Sequence, residues 1–274
     1  MFKIKKYIPD IVVAIILIAG IGLLAYPTIG DYINALHSSK AIGSYVEKTK
    51  DLSKEEKENL LREAREYNES LVGKVNRYYL NEEEKKRYAH ILDITKTGIM
   101  AYVEIPKLNI YMPVYHGTDE GVLQIAAGHL PASSLPVGGE NTHSLISGHR
   151  GLPSAKLFTD IDKLKKGDLF FIHVFDEVLA YKVNQIKIVL PDDVETLEIE
   201  KGKDYVTLIT CTPYGVNSHR LLVRGERTVY KQSESKIEDM IKKNNLKYIM
   251  LTAGVVLVSV FLIKRRKRRK LNEK

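Results

Sequence analysis

Apolar positions change their rhythm along this chain, and the changes mark its parts. Ile11–Gly30 runs twenty residues without a charge, long enough to cross a bilayer as a helix. From Asp31 to about Ile94 the spacing turns helical: Leu60, Ala64, Tyr67, Leu71 and Val75 recur every three or four positions, which is one face of a helix. Ser53 followed by Glu56, and Asn81 followed by Glu84, are capping-box pairs that would start two helices. This stretch is poor in large apolar residues, so it must lean on the core of a neighbour.

From Thr97 the pattern shortens. Tyr102–Pro106, Ile110–Tyr115, His143–Ser147, Asp168–Phe175, Leu179–Leu190, Tyr205–Cys211 and Arg220–Tyr230 are β-rich runs punctuated by Gly, Pro, Asn and Asp. Seven or eight strands within about 130 residues predict a mainly β domain, a closed barrel or a sandwich. Ser233–Asn245 is charged and reads as a linker. Tyr248–Ile263 is a second charge-free run, short for a span, but Lys247 and Lys264 can snorkel to close the gap.

Charge adds a topology. The chain of 274 residues carries +8, and seven of those charges sit together in Lys264–Lys270. The rest is close to neutral, which gives no argument for nucleic-acid binding. A basic block abutting an apolar run holds that end in the cytoplasm and can meet anionic lipid. Lys3, Lys5 and Lys6 do the same at the other end. Both termini are therefore expected inside, with the middle outside. The rival accounts are a cleaved signal peptide for the first run, a buried helix for the second, and a nuclear-localisation signal for the basic block.

The expected organisation is a cytoplasmic N-terminus (1–10), a transmembrane helix (11–30), an extracytoplasmic helical segment (31–96), a β-barrel (97–230), a linker (231–247), a transmembrane helix (248–263) and a basic cytoplasmic tail (264–274).

Cysteine usage brings in the chemistry. Cys211 is the chain's single cysteine, which excludes an internal disulfide and any multi-cysteine zinc site. It ends an apolar, β-branched run and is followed by the loop signal Thr212-Pro213-Tyr214-Gly215. A thiol attacks only as thiolate, so a nucleophilic role needs a base or a cation beside it. Arg220 opens the next run nine residues on; if the two runs pair, both residues reach one edge, where a guanidinium can donate to a developing oxyanion. His149 also stands where a strand gives way to a loop and is preferred as acid and base over His143, which starts the same strand. Against this stand plainer roles: an inert strand cysteine, a solvated arginine, a turn histidine. A metal at His143 and His149 lacks a third ligand. Spacing alone leaves these open.

The run Thr207-Leu-Ile-Thr-Cys-Thr-Pro-Tyr-Gly-Val-Asn-Ser-His-Arg-Leu-Leu-Val-Arg-Gly resembles the active-site signature of sortases, and its Cys-Thr-Pro-Tyr-Gly-x-Asn-Ser-His-Arg form is similar to class C, the pilus-assembling sortases. Glu104-Ile-Pro-Lys-Leu, Tyr115-His-Gly-Thr, Gly128-His-Leu, Ser134-Leu-Pro-Val-Gly-Gly, Thr142 to Ala155 and Leu157-Phe-Thr-Asp-Ile-Asp agree with that class in the same order. The resemblance covers roughly Tyr102 to Arg227. It implies an eight-stranded barrel, with His149, Cys211 and Arg220 catalytic and no cofactor or metal. It also implies cleavage of a Leu-Pro-x-Thr-Gly-like sorting signal between Thr and Gly through a Cys211 thioester, with transfer to a pilin lysine. The partners would be the sorting-signal peptide, the acceptor amine and the lipid bilayer, with the catalytic domain on the extracellular face of the cell membrane. A sortase that anchors surface proteins to cell-wall precursor differs only in the acceptor amine. A membrane-tethered barrel that binds without chemistry would need a buried, unreactive Cys211.

One departure matters. Many pilus sortases carry a lid with Asp-Pro and an aromatic plug. No Asp-Pro occurs between Asp31 and Thr97, so the lid is absent or different; Tyr78 and Tyr79 read as ordinary helix-face packing.

Overall fold

The structure, a computed structural model, describes residues 8–74, 77 and 79–230. Three helices precede the barrel: α1 (Ile8–Asp51), α2 (Lys54–Leu71) and α3 (Glu82–His90). Helix α1 runs unbroken for 44 residues, through the Gly30/Asp31 boundary that composition suggests. Its apolar N-terminal half is exposed, as Ile16, Ile18, Leu23 and Leu24 show, and it is long and apolar enough to cross a membrane. Both predicted capping boxes form: Ser53 and Glu56 at α2, Asn81 and Glu84 at α3, each exchanging side-chain and backbone hydrogen bonds. The buried face of α2 is Leu61, Ala64, Tyr67, Asn68 and Leu71; Leu60, expected on that face, is only half-buried.

Eight strands follow: β1 (Ile99–Ile105), β2 (Ile110–His116), β3 (Ala127–His129), β4 (Thr142–Ser147), β5 (Leu169–Val174), β6 (Glu177–Val189), β7 (Asp204–Thr212) and β8 (His219–Arg227). A single-turn helix, α4 (Glu120–Leu123), lies between β2 and β3. The strands close in the order β1-β2-β3-β4-β7-β8-β6-β5, with β2–β3 and β4–β7 parallel and the other pairs antiparallel. Closure leaves no edge exposed, which suits an all-β domain of this size. Strand β3 is the one that the periodicity does not announce. It has three residues, Ala-Gly-His, too few for an alternation, and pairing with β2 and β4 holds it.

The helices share the barrel's core. Ile42 and Tyr45 of α1, Tyr67 of α2 and Tyr88 of α3 belong to the same buried cluster as Met100, Phe158, Phe170 and Tyr181. The Tyr45 hydroxyl donates to the Met100 carbonyl at 3.1 Å and accepts from the Phe175 amide at 3.0 Å, so its polar end is satisfied while its ring is buried. Asn68 does the same for α2, donating to the Leu135 carbonyl and accepting from the Leu135 amide at 3.1 and 2.6 Å. Each large side chain buried this way contributes roughly 1.5–3 kcal/mol. The segment 31–96 therefore leans on the barrel, as its composition requires.

The compact unit ends at Val229. The expected linker, second transmembrane helix and basic tail (231–274), like residues 1–7, lie outside the described residues.

Candidate active site

Strand parity sorts the barrel's side chains into two faces. Ile146 of β4, Val206 and Leu208 of β7, and Leu221 and Val223 of β8 join the interior core. Leu145, Ile209 and Leu222 point the other way and form a second apolar cluster with Val189 and Leu197. Leu197 comes from the β6–β7 loop, which covers this outer face. Cys211 shares the parity of Ile209, and Arg220 that of Leu222, so both stand on the outer, apolar-floored face.

The register places Cys211 directly opposite Arg220 on the antiparallel β7–β8 pair. A nine-residue offset becomes adjacency because the hairpin turns at residues 213–218. The Arg220 guanidinium is held by the loop's own backbone: Nη1 donates to the Asn217 and His219 carbonyls, both at 3.2 Å. One terminal nitrogen makes those bonds, out of five N–H donors on the group.

Strand β4 brings His149 to the same rim. It pairs in parallel with β7 at a constant offset of 62 residues, through the Thr210 hydroxyl that donates to the Gly148 carbonyl at 2.7 Å. Continued by one residue, that offset sets His149 beside Cys211. Gly148 permits the turn. A Cβ there would lie 2.6 Å from the Phe158 ring, whose backbone amide returns to the His149 carbonyl at 3.1 Å. A second close contact crosses the site: the Tyr214 ring lies over Gly151, whose φ of +81° is open to glycine without strain.

The electrostatics around His149 are simple. Its Nε2 is buried without a hydrogen-bond partner, and the exposed Glu120 carboxylate of α4 stands 3.8 Å away. Glu120 is a neighbour that sequence spacing did not find, because 29 residues separate it from His149 and only the packing of α4 joins them. Cys211 is half-buried, not sealed as the binding-module alternative requires. Among the described residues no group of three or more metal-ligating side chains occurs.

His143 is a different kind of residue. It is buried; its Nδ1–H donates to the Glu198 carbonyl at 2.9 Å, which leaves Nε2 to accept from the Thr207 hydroxyl at 2.7 Å. Burial, then the nearby Arg224 and Arg77, push its pKa down to about 4, so it is a neutral structural residue at the far end of β4. His219 starts β8 and bonds Ser218.

The segment between α2 and α3 corrects one expectation. Tyr79 packs on no helix face; it lies outside both helices and is 84% exposed. Tyr78 lies outside the described residues. Arg77 of this segment is buried instead, donating to the Leu197 carbonyl at 2.7 Å and pairing with Glu198 at 3.3 Å.

Fold and site together define a closed-barrel protein with a thiol, an imidazole and a guanidinium at adjoining strand ends. A family model described as "Sortase domain" matches residues 103–228. Solved structures agree. Sortase C1 of Streptococcus agalactiae is 48% identical with a TM-score of 0.68, over 70% of this chain and 100% of that one. Sortase C of Streptococcus pneumoniae is 46% identical with a TM-score of 0.64, over 71% and 99%. The chain belongs to the sortase family, in its class C. Among curated proteins, sortase A of Bacillus anthracis is 31% identical over 133 residues, 48% of this chain and 61% of that protein. The chain spans 61% of the length of that relative and of sortase A of Streptococcus agalactiae.

Proposed function

We propose that this protein is a membrane-anchored cysteine transpeptidase that joins pilin subunits. The observation that carries it is the shared rim: Cys211 in register with Arg220, and His149 one step beyond the β4–β7 tie, all on one apolar-floored face. The Cys211 thiolate adds to the threonine carbonyl carbon of a Leu-Pro-x-Thr-Gly-like sorting signal. Arg220 donates to the oxyanion. As the Thr–Gly C–N bond breaks, His149 gives its proton to the leaving glycine amine, and a thioester remains. A pilin lysine then attacks that thioester, His149 takes a proton from it, and the C–S bond breaks to restore the thiolate and leave an isopeptide bond. Leu145, Ile209 and Leu222 supply an apolar floor for the side chains upstream of the scissile bond.

The exposed apolar half of α1 supports anchoring, with the barrel outside and the N-terminus in the cytoplasm. The domain boundaries and the inward C-terminus follow from the same charge argument.

Cys211→Ala tests the chemistry. The parent should form a thioester on Cys211 with a sorting-signal peptide, visible by mass spectrometry, and the variant should form none. Cleavage by the variant at the parent's rate overturns the assignment. Purified pilin set against a wall-precursor mimic then identifies the acceptor; a product on the mimic alone would replace pilus assembly with wall anchoring.

A further inference from the structure

His149 and Cys211 lie between two cross-ties. On one side Thr210 bonds Gly148, at 2.7 Å. On the other, Arg150 Nη1 donates to Thr212 Oγ1 at 3.2 Å. Both ties span 62 residues, the offset of the β4–β7 pairing, so each joins a chain neighbour of His149 to the matching neighbour of Cys211. The two ties differ in kind. The Thr210 tie continues the strand pairing. The Arg150 tie lies beyond the last backbone bond of that pairing, from the Gly148 amide to the Ile209 carbonyl at 3.0 Å, so the ladder itself does not fix the spacing there.

Arg150 is built for the task. Its side chain is 11% exposed, and its other terminal nitrogen is paired with Asp162 in the turn Ile161–Lys163. A planar guanidinium with both terminal nitrogens engaged has one orientation. Thr212, the acceptor, is buried at 7% exposure, so its hydroxyl does not exchange this partner for bulk water. Among the described residues, charged groups placed at the rim are Glu120, Arg220 and this Arg150–Asp162 pair, with His219 opposite Thr212.

We propose that Arg150 is a positioning residue that sets the distance between the Cys211 thiol and the His149 imidazole, through Thr212. It touches no reacting atom; it ties the loop that carries His149 to the strand end that carries Cys211. The proposal rests on the transpeptidase reading for its rate consequence, but not for its geometric one.

The test uses the full chain in detergent micelles and compares the parent with Thr212→Val, Arg150→Lys, Arg150→Gln and the Thr212→Val/Arg150→Gln double variant. Two quantities are read: iodoacetamide alkylation of Cys211 across pH, and steady-state cleavage of a sorting-signal peptide. Valine keeps the shape of threonine and removes the acceptor. Misplacement of reacting groups by about 1 Å can cost on the order of a hundredfold. Thr212→Val and Arg150→Gln should therefore lower kcat by roughly tenfold or more with KM within about twofold. Both should slow alkylation at pH 7 by roughly fivefold, and by less than about twofold near pH 10, where a thiol is ionised whatever stands beside it. The double variant should be no slower than the worse single one, because both remove one tie. Lysine is a point donor that can pair with Asp162 but cannot also reach Thr212. Arg150→Lys should thus melt with the parent and react with Arg150→Gln; if Arg150→Gln fails to fold, Thr212→Val and Arg150→Lys decide.

Parent-like alkylation and kcat in Thr212→Val overturn the proposal. So do effects that multiply in the double variant, or slowing equal at every pH, which would mean blocked access to the thiol. If the parent forms no thioester with any sorting-signal peptide, the transpeptidase reading fails, and the alkylation arm still judges the cross-tie.

Discussion

Acid should unfold this protein partly through His143, and the size of the effect follows from its surroundings. The folded state holds the imidazole neutral, because burial penalises the cation and Arg224 and Arg77 repel it; the bond to the Glu198 carbonyl, and more weakly Glu200, oppose them. Its pKa is about 4 in the fold, against about 6.5 in an unfolded chain. Above pH 6.5 neither state binds the proton and the residue contributes no pH dependence. Between pH 6.5 and 4 the unfolded chain takes up a proton that the fold refuses, so stability falls as pH falls. At 1.36 kcal/mol for each pH unit, the gap amounts to about 3 kcal/mol, fully lost below pH 4. His129, buried and held to about 3, adds a larger loss, about 5 kcal/mol, over a wider window. Comparing the parent with His143→Gln cancels every other titrating group. In urea unfolding of the detergent-solubilised chain, the parent's stability relative to the variant should drop by about 3 kcal/mol from pH 7 to pH 4. A change below about 1 kcal/mol would refute the buried neutral histidine.

Two further outcomes test the site. Gly148→Ala puts a methyl 2.6 Å from the Phe158 ring, so it should cost about 1–3 kcal/mol in thermal unfolding and lower peptide cleavage by displacing His149; unchanged unfolding would mean that Phe158 gives way freely. Glu120→Gln removes the carboxylate 3.8 Å from His149 Nε2; cleavage should fall only about two- to fivefold at low salt, and the deficit should shrink in high salt because the carboxylate is exposed. A salt-independent loss would assign Glu120 a direct contact with substrate.

Local chemistry was legible in the chain. Ser53/Glu56 and Asn81/Glu84 form the caps their spacing promises, since a capping box closes within one turn and needs no distant partner. The long β runs are strands because short stretches rich in β-branched and aromatic residues, bounded by Gly, Pro, Asn and Asp, carry their own evidence. The exposed apolar run of α1 is equally plain. Strand β3, three residues long, was invisible because β2 and β4 hold it, and Tyr79 was misplaced because the helix before it stops at Leu71 and leaves it exposed.

The sequence by itself determined which residues could do chemistry: a lone thiol, an arginine nine residues on and a histidine at a strand end. It could not set the distances between them. That depended on closing the barrel, which pairs β7 with β8 in the register that faces Cys211 with Arg220, and lays β4 parallel to β7 at the offset that delivers His149. Register is a property of two strands, fixed by which faces are buried. For the same reason Glu120 became a neighbour of the site, and Arg150 and Thr212 neighbours of each other, only in three dimensions.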